Sequence, residues 1–298
     1  MTDIIHKSHF PRALRLATAA LASLGLVACA TALPSQVRGE SLQANEPGPE
    51  ASPTYADIVT YALEAELVAI VNIDDQTVFP PERAPDVTPD RVRLYLEALT
   101  RNLLASPTGV GESLIFVTDV NREADGDPLA LKRRDFVIFA DLVPGRPGEV
   151  RLVSSRAMFA SGPAIEGRVR SVLRQLAEND VPPAVTGVRD VISVPGNLVG
   201  ESETQMFVET QSGAPISMTV VRRPGLPPQW GVSLGEIVDV TARPPEPDTV
   251  LWYRLACSLP DELADDAFLQ SDQSARTRAR EDYAFVLADL GPCERRFS

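Results

Sequence analysis

Apolar and polar positions alternate along this chain in short blocks, and the blocks change period more than once. Glu66–Ile73 is a run of β-branched and apolar residues, Ser113–Val120 and Asp135–Ala140 are two more, and Gly148–Ser154 is a shorter one. Arg91–Ala98 alternates with period two over its first half, as a half-buried strand does, while its continuation Leu99–Leu104 suits a helix equally well. Turn signals separate the blocks: Pro80-Pro81, Pro107-Thr108-Gly109, Ala124–Pro128 and Pro144–Gly148. From Tyr55 to about Phe159 the pattern therefore predicts extended segments only, five strands in all.

The period then changes. Ile165, Val169, Val172, Leu173 and Leu176 share one helical face opposite Arg168, Arg170 and Arg174, which predicts a helix from Pro163 to Asp180. Pro182-Pro183 stops it. Glu203–Thr210 and Ile216–Val221 flank Ser212-Gly213, a hairpin signal, and Trp230–Val238 offers a third strand. Near the end, Ala275, Ala279, Tyr283, Val286 and Leu287 return to helical spacing, and Gly291-Pro292 closes that helix.

The expected fold is mainly β (α+β). A five-stranded OB-like barrel or sandwich spans residues 55–162, and a linking helix spans 163–183. A second small β unit with a final helix spans 184–298. The count and order of the first five strands resemble the OB-like barrel of the netrin and tissue-inhibitor kind.

The first residues read differently. Lys7, Arg12 and Arg15 precede an uncharged Ala/Leu-rich stretch, Leu16–Ala28, which is the layout of a secretory signal. The stretch ends in Leu26-Val27-Ala28-Cys29, which resembles the lipobox of bacterial lipoproteins. That resemblance implies a signal peptide over residues 1–28, lipidation of Cys29 and anchoring in a membrane. Residues 29–54, with Pro34, Pro47, Pro49 and Pro53 among polar residues, read as a tether. Ala30 after the cysteine, by resemblance to lipoprotein sorting, leans towards the periplasmic face of the outer membrane.

Composition sharpens the picture by exclusion. Both histidines, His6 and His9, lie in the signal segment, so the mature chain has none. Ser-His-Asp and Cys-His nucleophile systems and His-ligated metals are therefore not expected, and no cofactor is called for. The segment's three bases exceed its one acid by two, so its removal takes the formal charge from −13 to −15. Such an acidic surface argues against nucleic acid as a partner. With Cys29 lipidated, Cys257 and Cys293 remain, an even pair in an oxidising compartment, which suggests a disulfide.

Candidate chemistry is sparse. Asp119, Asn121, Glu123, Asp125 and Asp127 offer oxygens for calcium, but an EF-type loop from Asn121 puts Lys132 where a bidentate Glu belongs, so a polar turn is the simpler expectation. Glu201, Glu203 and Glu236 are the acids for a carboxylate-based hydrolase acting on envelope glycan. Arg222 and Arg223 are candidate anion contacts. Trp230, Trp252 and Tyr253 offer an aromatic platform or, more simply, packing.

Gly200–Gln205, Trp230–Glu236, Leu251–Cys257 and Leu290–Cys293 resemble fixed phrases of a family of uncharacterised alphaproteobacterial exported proteins. The resemblance implies an envelope setting and supplies no reaction. The leading expectation is a non-enzymatic envelope lipoprotein, a binding or structural module with an envelope protein or glycan as its partner, and the glycan hydrolase is the alternative.

Overall fold

The computed structural model describes residues 52–235 and 241–298. The signal segment with Cys29, nearly all of the tether and Glu236 fall outside the described residues.

The first described element is a helix that the extended pattern did not predict. Helix α1 (Tyr55–Glu64) places Tyr55, Ile58, Val59 and Ala62 at helical spacing. Its start is a capping box: the Thr54 hydroxyl accepts the Asp57 N–H at 3.1 Å, and the Asp57 carboxylate accepts the Thr54 N–H at 2.9 Å. Apolar residues broken only by Asp57 and Thr60 leave the period open. The cap decides it.

Strands β1 (Leu67–Val78), β2 (Arg91–Ala105), β3 (Ser113–Asn121), β4 (Asp135–Leu142), β5 (Val150–Leu152) and β6 (Met158–Ala160) form the first antiparallel sheet. The strand order is β3-β2-β1-β4-β5, with β6 also pairing with β4. Leu99–Leu104 resolves as strand, because the long arm of β2 stays paired with β1 as far as Val68↔Ala105. The centre, β1 and β4, is buried on both faces, which explains its unbroken apolar runs. Helix α1 joins this core, as do Val169 and Val172 of helix α2 (Pro163–Leu176).

Three register shifts between β1 and β2 bend the sheet. The bend brings the far edges, β3 and β5, together at a single parallel bridge, Ile115↔Glu149, where the Ile115 N–H donates to the Gly148 carbonyl at 2.7 Å. Gly148 has a φ of 87°, and a side chain there would also sit 3.2 Å from the Ser113 carbonyl. The sheet does not close into a barrel ladder. Of the two expected forms, the open, sandwich-like one holds.

The second antiparallel sheet has the order β10-β9-β8-β7, from β7 (Val185–Pro195), β8 (Ser202–Thr210), β9 (Ile216–Arg222) and β10 (Gln229–Ser233). The apolar segment before Cys257 forms helix α3 (Val250–Ala256), capped by the Thr249 hydroxyl. Helix α4 (Gln273–Leu290) contributes Ala279, Tyr283, Val286 and Leu290 to the core of this sheet. Trp252 packs against both cores, its indole N–H on the Leu290 carbonyl at 2.9 Å. Cys257 and Cys293 form a disulfide that joins the end of α3 to the segment after α4. No helix of the described residues is long and apolar enough to cross a membrane.

Candidate functional site

A cleft of about 800 Å³ lies where β3 and β5 part beyond their bridge. Alternation builds its wall. Val92, Leu94 and Leu96 of β2 point into the core, so Arg93 and Tyr95 point out. On β3, Leu114, Phe116 and Thr118 point in, and Ile115, Val117 and Asp119 point out. Arg146, Glu149 and Arg151 complete the far rim. The result is an apolar floor of Tyr95, Ile115 and Val117 between charged margins, with Val117 38% exposed.

Main-chain groups also reach this groove. In an antiparallel ladder, alternate residues turn their N–H and C=O away from the paired neighbour. The Ile115 bond to Gly148 fixes that parity for β3, so the groups of Val117 and Asp119 face the same side. Arg91 occupies the Asp119 carbonyl at 2.7 Å. At the far end, the Thr118 hydroxyl donates to the Ser155 carbonyl at 2.9 Å and ties the two margins.

Each arginine in the lining has a carboxylate partner. Arg93 holds Asp119 and Asp86, both at 2.8 Å, and the hydrogen bonds it donates to these two carboxylates raise its pKa above the usual value. Arg146 holds Glu149 at 3.0 Å, and Arg151 holds Asp141 at 3.2 Å. Charges neutralised within the lining suit a recognition surface.

The acids singled out in the sequence sit elsewhere. Glu201 accepts the N–H groups of Asn197 and Leu198, at 2.9 and 3.1 Å, and so fixes the β7–β8 turn. Glu203 lies on the outward face of β8, where the Gln205 amide donates to it at 2.8 Å. Arg222 spends its Nε on Asp282, at 2.5 Å, and Arg223 is exposed just past the end of β9. Trp230 and Tyr253 are buried, and the Trp230 indole donates to Asp289 at 2.6 Å, which is packing rather than a platform. In the acidic turn, Asp125 accepts the Asp127 N–H at 3.1 Å and Lys132 pairs with Asp75. No group of three metal-ligating side chains occurs among the described residues.

Two buried acids escaped the sequence reading. Asp57 is fully buried, and besides capping α1 it accepts the N–H groups of Arg296, Phe297 and Ser298 at 3.1, 2.9 and 3.0 Å. Burial pushes its pKa up, but the bonds from Phe297, Thr54 and Ser298 outweigh that and lower it overall. The Phe297 ring beside it packs edge-on against Phe159 at 5.0 Å. Asp282, also fully buried, accepts from the Thr204 hydroxyl at 2.5 Å as well as from Arg222. Thr54-x-x-Asp57 was a visible capping signal. Nothing local announced the partners of Asp282, 60 and 78 residues away.

No protein-family model matches this chain, and no curated protein shows significant similarity to it.

Proposed function

We propose that the chain is a lipid-anchored, non-enzymatic binding protein of the bacterial envelope, held at the periplasmic face through Cys29. Its β3–β5 groove takes a segment of an envelope protein. The observation that carries the binding reading is the groove itself, with its apolar floor, its main-chain groups at the edge and its internally neutralised charges. A protein segment suits this lining, because main-chain groups at the β3 edge face the groove and can pair with an added strand. The setting rests on the lipobox-like Leu26–Cys29, on the histidine-free mature chain and on the Cys257–Cys293 disulfide, a bond typical of oxidising compartments.

The test is site-specific photo-crosslinking in cells, with the probe at Val117 and a control at exposed Glu178. The expected result is one discrete envelope protein trapped from Val117 and absent from Glu178. Equal or absent trapping at the two positions contradicts the groove. In parallel, palmitate labelling is expected in the wild type and lost in Cys29→Ser; an unlabelled wild type contradicts the anchor.

A further inference from the structure

At one end of the second sheet two turns stand side by side. Residues 196–201 join β7 to β8, and residues 223–228 join β9 to β10. The register Ser202↔Arg222 puts both at the same end. Both carry apolar side chains into solvent: Val199 is 99% exposed, Leu198 62% and Leu226 59%.

The β7–β8 turn is not slack. The Gly196 N–H donates to the Glu201 carbonyl, the Glu201 N–H to the Leu198 carbonyl, and the Glu201 carboxylate takes two more N–H groups. Gly200, at a φ of 83°, makes the reversal that a side chain would oppose. The chain thus uses four hydrogen bonds to hold a Leu-Val pair outward, where it has nothing of its own to pack on. A preorganised apolar tip of this kind marks an interaction site.

Beside the tip is a cleft of about 480 Å³ lined by Arg222, Arg278, Glu201 and Glu281. The Arg278 Nε is buried with no hydrogen-bond partner. Guanidinium groups next to carboxylates match a zwitterionic lipid headgroup, phosphate against arginine and ammonium against glutamate. They match an anionic surface poorly, and the chain's net charge of −13 disfavours one further.

We propose that this end of the sheet docks on a bilayer of zwitterionic phospholipid, with Leu198 and Val199 entering the headgroup–acyl boundary, Leu226 beside them, and the headgroup seated between Arg278 and Glu281. Such shallow insertion is weak alone and becomes effective when a second anchor holds the protein at the membrane. Only that last step rests on lipidation of Cys29; the docking itself is testable without it.

The test uses residues 29–298 with Cys29→Ser, so that no acyl chain contributes, and vesicles of phosphatidylcholine and phosphatidylethanolamine. Co-sedimentation is expected at millimolar lipid, where a weak partition is visible, and is weakened about tenfold by the pair Leu198→Ser and Val199→Ser. Thermal unfolding is expected to be unchanged, because neither side chain is packed. A Val199→Trp variant is expected to shift its emission to the blue on vesicles and to be quenched by brominated lipid. Wild-type protein that stays in the supernatant, a double variant that binds equally, or an unshifted spectrum overturns the proposal. So does a photo-crosslinker at position 199 that traps protein in cells and no lipid. Groove capture at Val117 and palmitate labelling are independent of all these outcomes, so either reading can fail alone.

Discussion

At the scale of single residues, two buried carboxylates hold distant segments together. Asp57 ties the start of α1 to Arg296–Ser298, and its charge is matched by donors rather than by a cation. Asp57→Asn replaces an acceptor oxygen with an amide that faces those donors, and is expected to cost about 3 kcal/mol in denaturant unfolding at pH 7. Its native pKa is lowered, so the stability it contributes is complete above the ordinary aspartate value near ~4 and is lost as pH falls through the native value. The gap between wild type and Asp57→Asn should therefore shrink below about pH 4; a gap of constant size from pH 7 to pH 3 contradicts this role. Asp282 is different, because its partner Arg222 is a charge. Removing either one alone is expected to cost about 3–5 kcal/mol, and the double change Arg222→Met with Asp282→Leu much less than the sum. Additive losses in that cycle contradict a coupled pair. Neither acid was readable as a hub in the sequence. A capping box needs only four residues, whereas a carboxylate serving segments 60 to 240 residues apart leaves no local trace.

At the scale of elements, what was legible followed from period and punctuation. The β8–β9 hairpin stood out because Ser212-Gly213 separates two alternating runs, and the helix from Pro163 because its apolar face repeats over three turns. That helix ends at Leu176, four residues short of Asp180, where the Ala177 N–H makes tight bonds to Leu173 and Arg174. Helix α1 was missed because its apolar residues run nearly unbroken into those of β1, which begins three residues after it ends. The second arm of β2 was ambiguous because only its partner β1 decides its period. The cysteine count anticipated the bond between Cys257 and Cys293, which stands between α3 and the segment beyond α4. A sequence separation of 36 corresponds to about 4 kcal/mol of chain entropy removed from the unfolded state. The paired change Cys257→Ala and Cys293→Ala is expected to lower Tm by about 10 °C in calorimetry. An unchanged Tm contradicts a stabilising crosslink.

At the scale of the whole molecule, two open antiparallel sheets with separate cores meet through Trp252 and α3. Sequence pattern was enough for the β-rich class and for the two sets of strands. It could not give the groove, which exists because register shifts in β1 and β2 bend one sheet until its edges nearly meet. It could not give the paired turns either, since only the register of β8 with β9 brings residues 196–201 and 223–228 to one end. The proposed protein-binding groove and bilayer-docking tip both require, on the reading proposed above, a domain held beside a membrane through Cys29.

Mass spectrometry of the chain recovered from a membrane fraction probes that requirement most directly. The account predicts an N-terminal peptide starting at Cys29, carrying acyl mass on both thiol and amine, with the Cys257–Cys293 bond oxidised. A soluble cytosolic chain that still begins with Met1, both thiols reduced, would contradict it.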